Sequence, residues 1–177
     1  MNGTIVKKTT TKTLTINAMC IALTFVATAF INIRLPIMAN GGLIHLGNVP
    51  LFLAAILFGK KTGAIAGAFG MGIFDLISGW TAWAPVTFII VGIMGYTVGK
   101  ISEKKSVLWY STAVIAALVI KIIGYYIAEA ILYGNWVAPM TPIPGNIVQV
   151  STAGIVSVPM ATVLSKIVIK EMGGFQQ

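Results

Sequence analysis

Three ionisable side chains stand inside long apolar stretches of the chain: Asp75, Lys121 and Glu129. A charge in that setting is costly unless it faces a partner, a polar cavity or a ligand, so each is a functional candidate. Lys121, Tyr125 and Glu129 recur at i, i+4 and i+8, which sets them along one stripe of a helix. Asn146 and Gln149, at i and i+3, bring two amides to the start of the last apolar stretch. Groups of these types hold a small polar molecule by hydrogen bonds and charge. They do not make a catalytic centre. The single histidine, His45, and the single cysteine, Cys20, are far apart in sequence and give neither a nucleophilic triad nor a metal site. Gly59-Lys60-Lys61-Thr62 superficially echoes a phosphate-binding loop. Ala54, however, stands where its first glycine belongs, and Lys61 where Ser or Thr belongs. The chain is therefore expected to be no enzyme, to use no cofactor or metal, and not to hydrolyse ATP itself.

Each candidate also has a plainer use. Lys121 and Asp75 could form a structural ion pair, Glu129 could be solvated at the membrane surface, and Asn146 and Gln149 could serve as caps or interhelical hydrogen bonds. Trp80, Trp83, Tyr133 and Trp136 crowd the same side. Trp and Tyr favour membrane interfaces for their own sake, and the same rings can stack on a flat ligand; Trp83 and Tyr125 are the expected ring contacts. The segment 34–42 is glycine-rich near its end and could close as a lid, with His45 reaching into the pocket. The alternative is a solvated histidine at the interface.

What positions these groups must be a bundle in lipid. The chain has 177 residues, 57% hydrophobic and 9% charged, with a mean hydropathy of +0.93. A soluble domain carries about 25% charged residues, and a short chain cannot hide so much apolar surface from water. The net charge of +8 does not point to nucleic acid, because the basic residues sit in short clusters between apolar runs. Six spans are predicted, at 13–33, 43–58, 62–79, 85–100, 107–133 and 146–169, giving a single all-α membrane domain over 1–177. Pro85 suits the first turn of the fourth span, and Asn146 is the expected cap of the sixth. The second span is short: its 16 residues reach about 24 Å against a bilayer core of about 30 Å. Either it is little tilted or the preceding loop completes it.

Six spans put Lys7, Lys8, Lys12, Lys60 and Lys61 on one side, together with Lys100, Lys104, Lys105, Lys166 and Lys170, and leave only Arg34 on the other. The positive-inside rule then makes both termini cytoplasmic and the protein a multi-pass component of a bacterial plasma membrane. A competing reading takes the first span as a signal peptide with Ala27-Thr28-Ala29 as its cleavage site. Small residues recur at spacings of four: Gly59, Gly63 and Gly67; Gly95 and Gly99; Ala18 and Ala22. Such pairs let helices approach closely in lipid, either within the bundle or against a partner's helix.

The segment Gly42-Leu43-Ile44-His45-Leu46-Gly47-Asn48-Val49-Pro50, the run from Ala54 through Gly59-Lys60-Lys61-Thr62-Gly63 to Gly67, Phe74-Asp75-Leu76 and Trp83-Ala84-Pro85-Val86-Thr87 together resemble the S components of energy-coupling factor (ECF) vitamin transporters. The likeness is to the group that includes riboflavin, hydroxymethylpyrimidine and pyridoxine binders, and most of all to the hydroxymethylpyrimidine/pyridoxine type. The resemblance implies a subunit that binds a vitamin from outside, while a transmembrane T subunit and two ATPase subunits supply the work. It implies that Ala18-Met19-Cys20-Ile21-Ala22 docks the T subunit, that the bundle topples to release substrate, and that the loop after the first helix is the gate. Riboflavin binders usually show an acidic residue where this chain has Asn48, which disfavours riboflavin. The expected ligand contacts are Asp75, Lys121, Glu129, Asn146 and Gln149 for hydrogen bonds or charge, Trp83 and Tyr125 for the ring, and His45 from the lid. The rival class is a self-sufficient secondary transporter or channel for a small aromatic or amine solute. A membrane scaffold that binds no small molecule is a third.

Overall fold

The computed structural model describes residues 11–34 and 43–172. Its elements are α1 (Thr11–Phe30), β1 (Asn32–Arg34), β2 (Leu43–His45), α2 (Asn48–Phe58), α3 (Lys60–Ile77), α4 (Ala84–Ile101), α5 (Val107–Tyr133) and α6 (Ile143–Met172). Four of the six helices, α1, α4, α5 and α6, are long and apolar enough to cross a membrane. Residues 35–42, the middle of the expected gate, lie outside the described residues, as do Lys7 and Lys8.

The second span differs from expectation. β1 and β2 pair antiparallel, Asn32 opposite His45 and Ile33 opposite Ile44, so the stretch from Leu43 to His45 is strand. A short apolar run reads alike for strand and buried helix, which is why the run 43–58 appeared continuous. The helix that follows has only 11 residues, about 16 Å, roughly half a bilayer core. It has no need to cross, because it does not face lipid. Leu51, Phe52, Ala55 and Ile56 are essentially inaccessible, and α2 packs against α1, α3, α4 and α6. A helix apolar on every side belongs in a core. The strand pair therefore completes the polar end of this element, as one of the two sequence alternatives required.

Gly59 alone separates α2 from α3. Its φ of 92° is a left-handed conformation that a side chain would resist, and it turns the chain in one residue. Beyond it, α3 and α4 meet backbone to backbone. A Cβ on Gly63 would stand 2.6 Å from the Gly95 carbonyl oxygen, one on Gly67 2.8 Å from the Val91 carbonyl oxygen, and one on Gly95 would fall on the Gly63 carbonyl. Gly99 abuts the backbone of Lys60 in the same way. This close approach is what small-residue spacing achieves in lipid, where there is no hydrophobic drive between helices.

α1 joins the bundle along Cys20, Thr24 and Thr28, its buried face, with Thr24 set against Gly70 of α3. Ala18 and Ala22 lie on the opposite, exposed face. At the lysine-rich end, Glu103 lies 2.9 Å from Lys60 and 2.8 Å from Lys100, and Lys104 sits 3.6 Å over the ring of Trp109. Such exposed pairs contribute little to stability, but they bridge the α2–α3 junction to the turn before α5.

Candidate ligand-binding site

The site is built at the other end of the bundle, where four helix ends and one strand meet. Asp75 occupies the last turn of α3. That helix closes in a Schellman-type turn: Gly79 adopts φ 87°, and Trp80 N–H donates to the Asp75 carbonyl at 3.0 Å. The turn folds Trp80 and Trp83 back over Asp75, and their rings meet edge-on with centroids 5.5 Å apart. Trp83 then starts α4, with Pro85 in the first turn as expected, and Tyr133 from the end of α5 tilts against its ring at 6.1 Å.

On α5 the stripe of Lys121, Tyr125 and Glu129 faces inward, with Lys121 5% and Glu129 4% exposed. The Lys121 Nζ lies 5.9 Å from the centroid of the Tyr125 ring. α6 begins at Ile143, three residues before Asn146, because Pro144 is tolerated in a first helical turn. Asn146 is therefore not the cap expected of it. It sits inside the helix, and with Gln149 it faces the cavity. His45 closes the cavity from β2. Its Nδ1 accepts from the Gly47 N–H at 3.2 Å, which leaves Nε2 as the ring's donor.

His45, Asp75, Trp83, Lys121, Tyr125, Glu129, Asn146 and Gln149 thus all line one cavity of about 100 Å³. Among the described residues no direct Lys121–Asp75 ion pair is formed; two ion pairs, both of Glu103, lie at the opposite end. The Lys121 ammonium and the Asp75 carboxylate line a common space instead of meeting in contact. Trp83 Nε1 and Gln149 Nε2, on two of the lining residues, are buried donors with no hydrogen-bond partner among the described residues, where most buried donors have one.

Four further contributors escaped the sequence. Leu43 and Ile44 reach the cavity from β2, Pro142 from the α5–α6 connection and Gly145 from the first turn of α6, all without a polar side chain to flag them. Thr87, which hydrogen-bonds the Tyr125 hydroxyl at 2.8 Å, is a fifth. Trp80, singled out as an outer aromatic but not as a site residue, also lines the wall. Asn48, the position that argued against riboflavin, is fully buried in the first turn of α2 and is not part of the lining.

Comparison with known proteins identifies the family of the chain. The family described as "ECF-type riboflavin transporter, S component" matches residues 8–166. The thiamine precursor transporter HmpT of Lactococcus lactis is 32% identical over 168 residues, 94% of each chain. An uncharacterized protein of Pyrococcus woesei is 32% identical over 105 residues, 58% of this chain and 69% of that one. Among solved structures, ThiT from Listeria monocytogenes shares the fold with a TM-score of 0.57 at 20% identity, over 94% of this chain and 100% of that one. With its apolar helices and a family match across nearly its whole length, the chain belongs to the membrane-embedded ECF-type S components, the vitamin-uptake subunits of transporters.

Proposed function

We propose that this S component captures a small nitrogen heterocycle of the hydroxymethylpyrimidine or pyridoxine kind from outside the cell, and passes it inward with a T subunit and two ATPase subunits. The observation that carries the reading is the convergence of one ammonium, two carboxylates and two side-chain amides, those of Lys121, Asp75, Glu129, Asn146 and Gln149, on a single aromatic-walled cavity. Small-ligand sites are apolar clefts with a few placed polar groups. A ring bearing both nitrogen acceptors and hydroxyl or amino donors matches such a wall. The identity to HmpT over most of both chains favours the hydroxymethylpyrimidine end of that range.

Orientation follows from charge. The described lysines outside the cavity, Lys12, Lys60, Lys61, Lys100, Lys104, Lys105 and Lys166, lie at the end away from it. The positive-inside rule makes that end, and with it both termini, cytoplasmic, so the cavity opens outward. The exposed small face of α1 at Ala18 and Ala22 supports docking of the T subunit there. Below the cavity Leu51, Phe52, Met94, Val98 and Ala117 form an apolar core, which supports a binding subunit over a self-sufficient carrier.

The test is mass spectrometry of small molecules released from the protein purified alone in mild detergent, followed by tryptophan-fluorescence titration. Near-stoichiometric hydroxymethylpyrimidine or pyridoxine is expected. A protein that arrives empty and binds neither compound overturns the reading.

A further inference from the structure

Thr87 was not expected in the site, yet it is 3% exposed and lines the cavity between groups that come from two other helices. It lies one turn past Trp83 on α4, and its backbone N–H donates to the Trp83 carbonyl at 2.8 Å, so both side chains stand on the same helix face. Its hydroxyl meets the Tyr125 hydroxyl of α5 at 2.8 Å, and Asp75 of α3 lines the same cavity. One side chain on α4 thus holds a ligand-facing group of α5.

We propose that Thr87 is the positioning residue of this site, fixing the Tyr125 hydroxyl that faces the ligand. Each hydroxyl has one proton and two lone pairs, and their 2.8 Å bond holds the Tyr125 oxygen in one place whichever of the two donates. The Tyr125 hydroxyl then keeps a further hydrogen bond for the ligand, beside the Asp75 carboxylate and the Lys121 ammonium that line the same cavity. An amino- or hydroxymethyl-substituted ring nitrogen heterocycle offers groups that match such a lining. The stiff rotamer of a β-branched residue in a helix suits the task.

This inference rests on the proposed vitamin-binding reading, and the test separates the two. Affinity for hydroxymethylpyrimidine and for pyridoxine is measured by fluorescence titration for the parent protein, Thr87→Val, Thr87→Ser, Tyr125→Phe and Thr87→Val with Tyr125→Phe. Thr87→Val keeps the shape and removes the hydroxyl; it should weaken binding about tenfold or more, the scale of a lost hydrogen bond to a charged network. Thr87→Ser should stay within about threefold of the parent. Tyr125→Phe should cost much less in the Thr87→Val background than alone, since both act through one chain of bonds. Equal affinity for parent and Thr87→Val, or equal losses for Val and Ser, overturns the positioning role while leaving the vitamin reading intact. A parent protein that binds neither compound overturns both. Thermal unfolding of each ligand-free variant guards against a folding defect, and losses of affinity that follow losses of stability also count against the role.

Discussion

Lys121→Met removes the ammonium and leaves an unbranched side chain of similar length in its place. Lys121 is 5% exposed, its ammonium lies 5.9 Å from the centroid of the Tyr125 ring, and it takes no part in the ion pairs of Glu103. If it is a ligand contact, the loss is one hydrogen bond from a charged donor, about 1.5–3 kcal/mol. At about 1.4 kcal/mol per tenfold, the dissociation constant rises about ten- to hundredfold. The Tyr125 contact stands at the edge of cation–π range, about 6 Å, and contributes little to that figure. A structural role predicts a different pattern. Breaking a contacting buried ion pair costs about 3–5 kcal/mol of stability, whereas this lysine has no contacting carboxylate to strand. The assay pairs fluorescence titration against hydroxymethylpyrimidine and pyridoxine with thermal unfolding of the ligand-free protein in detergent. Weaker binding is expected with nearly unchanged ligand-free unfolding, together with a smaller ligand-induced rise in unfolding temperature. Binding within twofold of the parent, or binding that falls only in step with stability, would refute the reasoning.

Two further outcomes follow from the packing. Ala18→Leu with Ala22→Leu should leave ligand affinity unchanged while abolishing co-purification with the T subunit and cellular uptake, because both residues are exposed and far from the cavity lining. Gly95→Ala should destabilise by about 1–3 kcal/mol through overpacking, read by thermal unfolding, because its Cβ would fall on the Gly63 carbonyl. Gly92→Ala, whose Cβ would meet Ala68 Cβ at an ordinary 3.4 Å, should change unfolding little.

Most of the site was legible because the bilayer makes polarity expensive. Lys121 and Glu129 announce themselves as charges in an apolar run, and the i, i+4, i+8 spacing shows that Tyr125 shares their face. The residues that escaped carry no such signal. A threonine is inexpensive in a membrane helix because its hydroxyl can bond a carbonyl one turn back, as Thr28 does to Thr24 at 2.7 Å. Thr87 is therefore indistinguishable in sequence from a filler. Leu43 and Ile44 look like the start of a helix, and only the pairing with β1 reveals that they are strand. Asn146 resembled a cap because it follows a proline-rich turn, and a helix that accepts Pro144 in its first turn moves the start three residues earlier.

The same economics explain why the two ends of the bundle are built differently. Seating charged side chains around a cavity costs stability that packing elsewhere must offset. At the lysine-rich end α3 and α4 touch through glycine backbones, and α2 is enclosed on all sides by apolar residues. That half can hold the helices in register while the half above remains open and polar. A site assembled from α3, α4, α5 and α6 depends on this register, since a one-residue slip of α5 would turn Lys121, Tyr125 and Glu129 off the cavity together by about 100°. The glycine seam is thus as much a condition of ligand recognition as the charged groups, although none of its glycines lines the cavity.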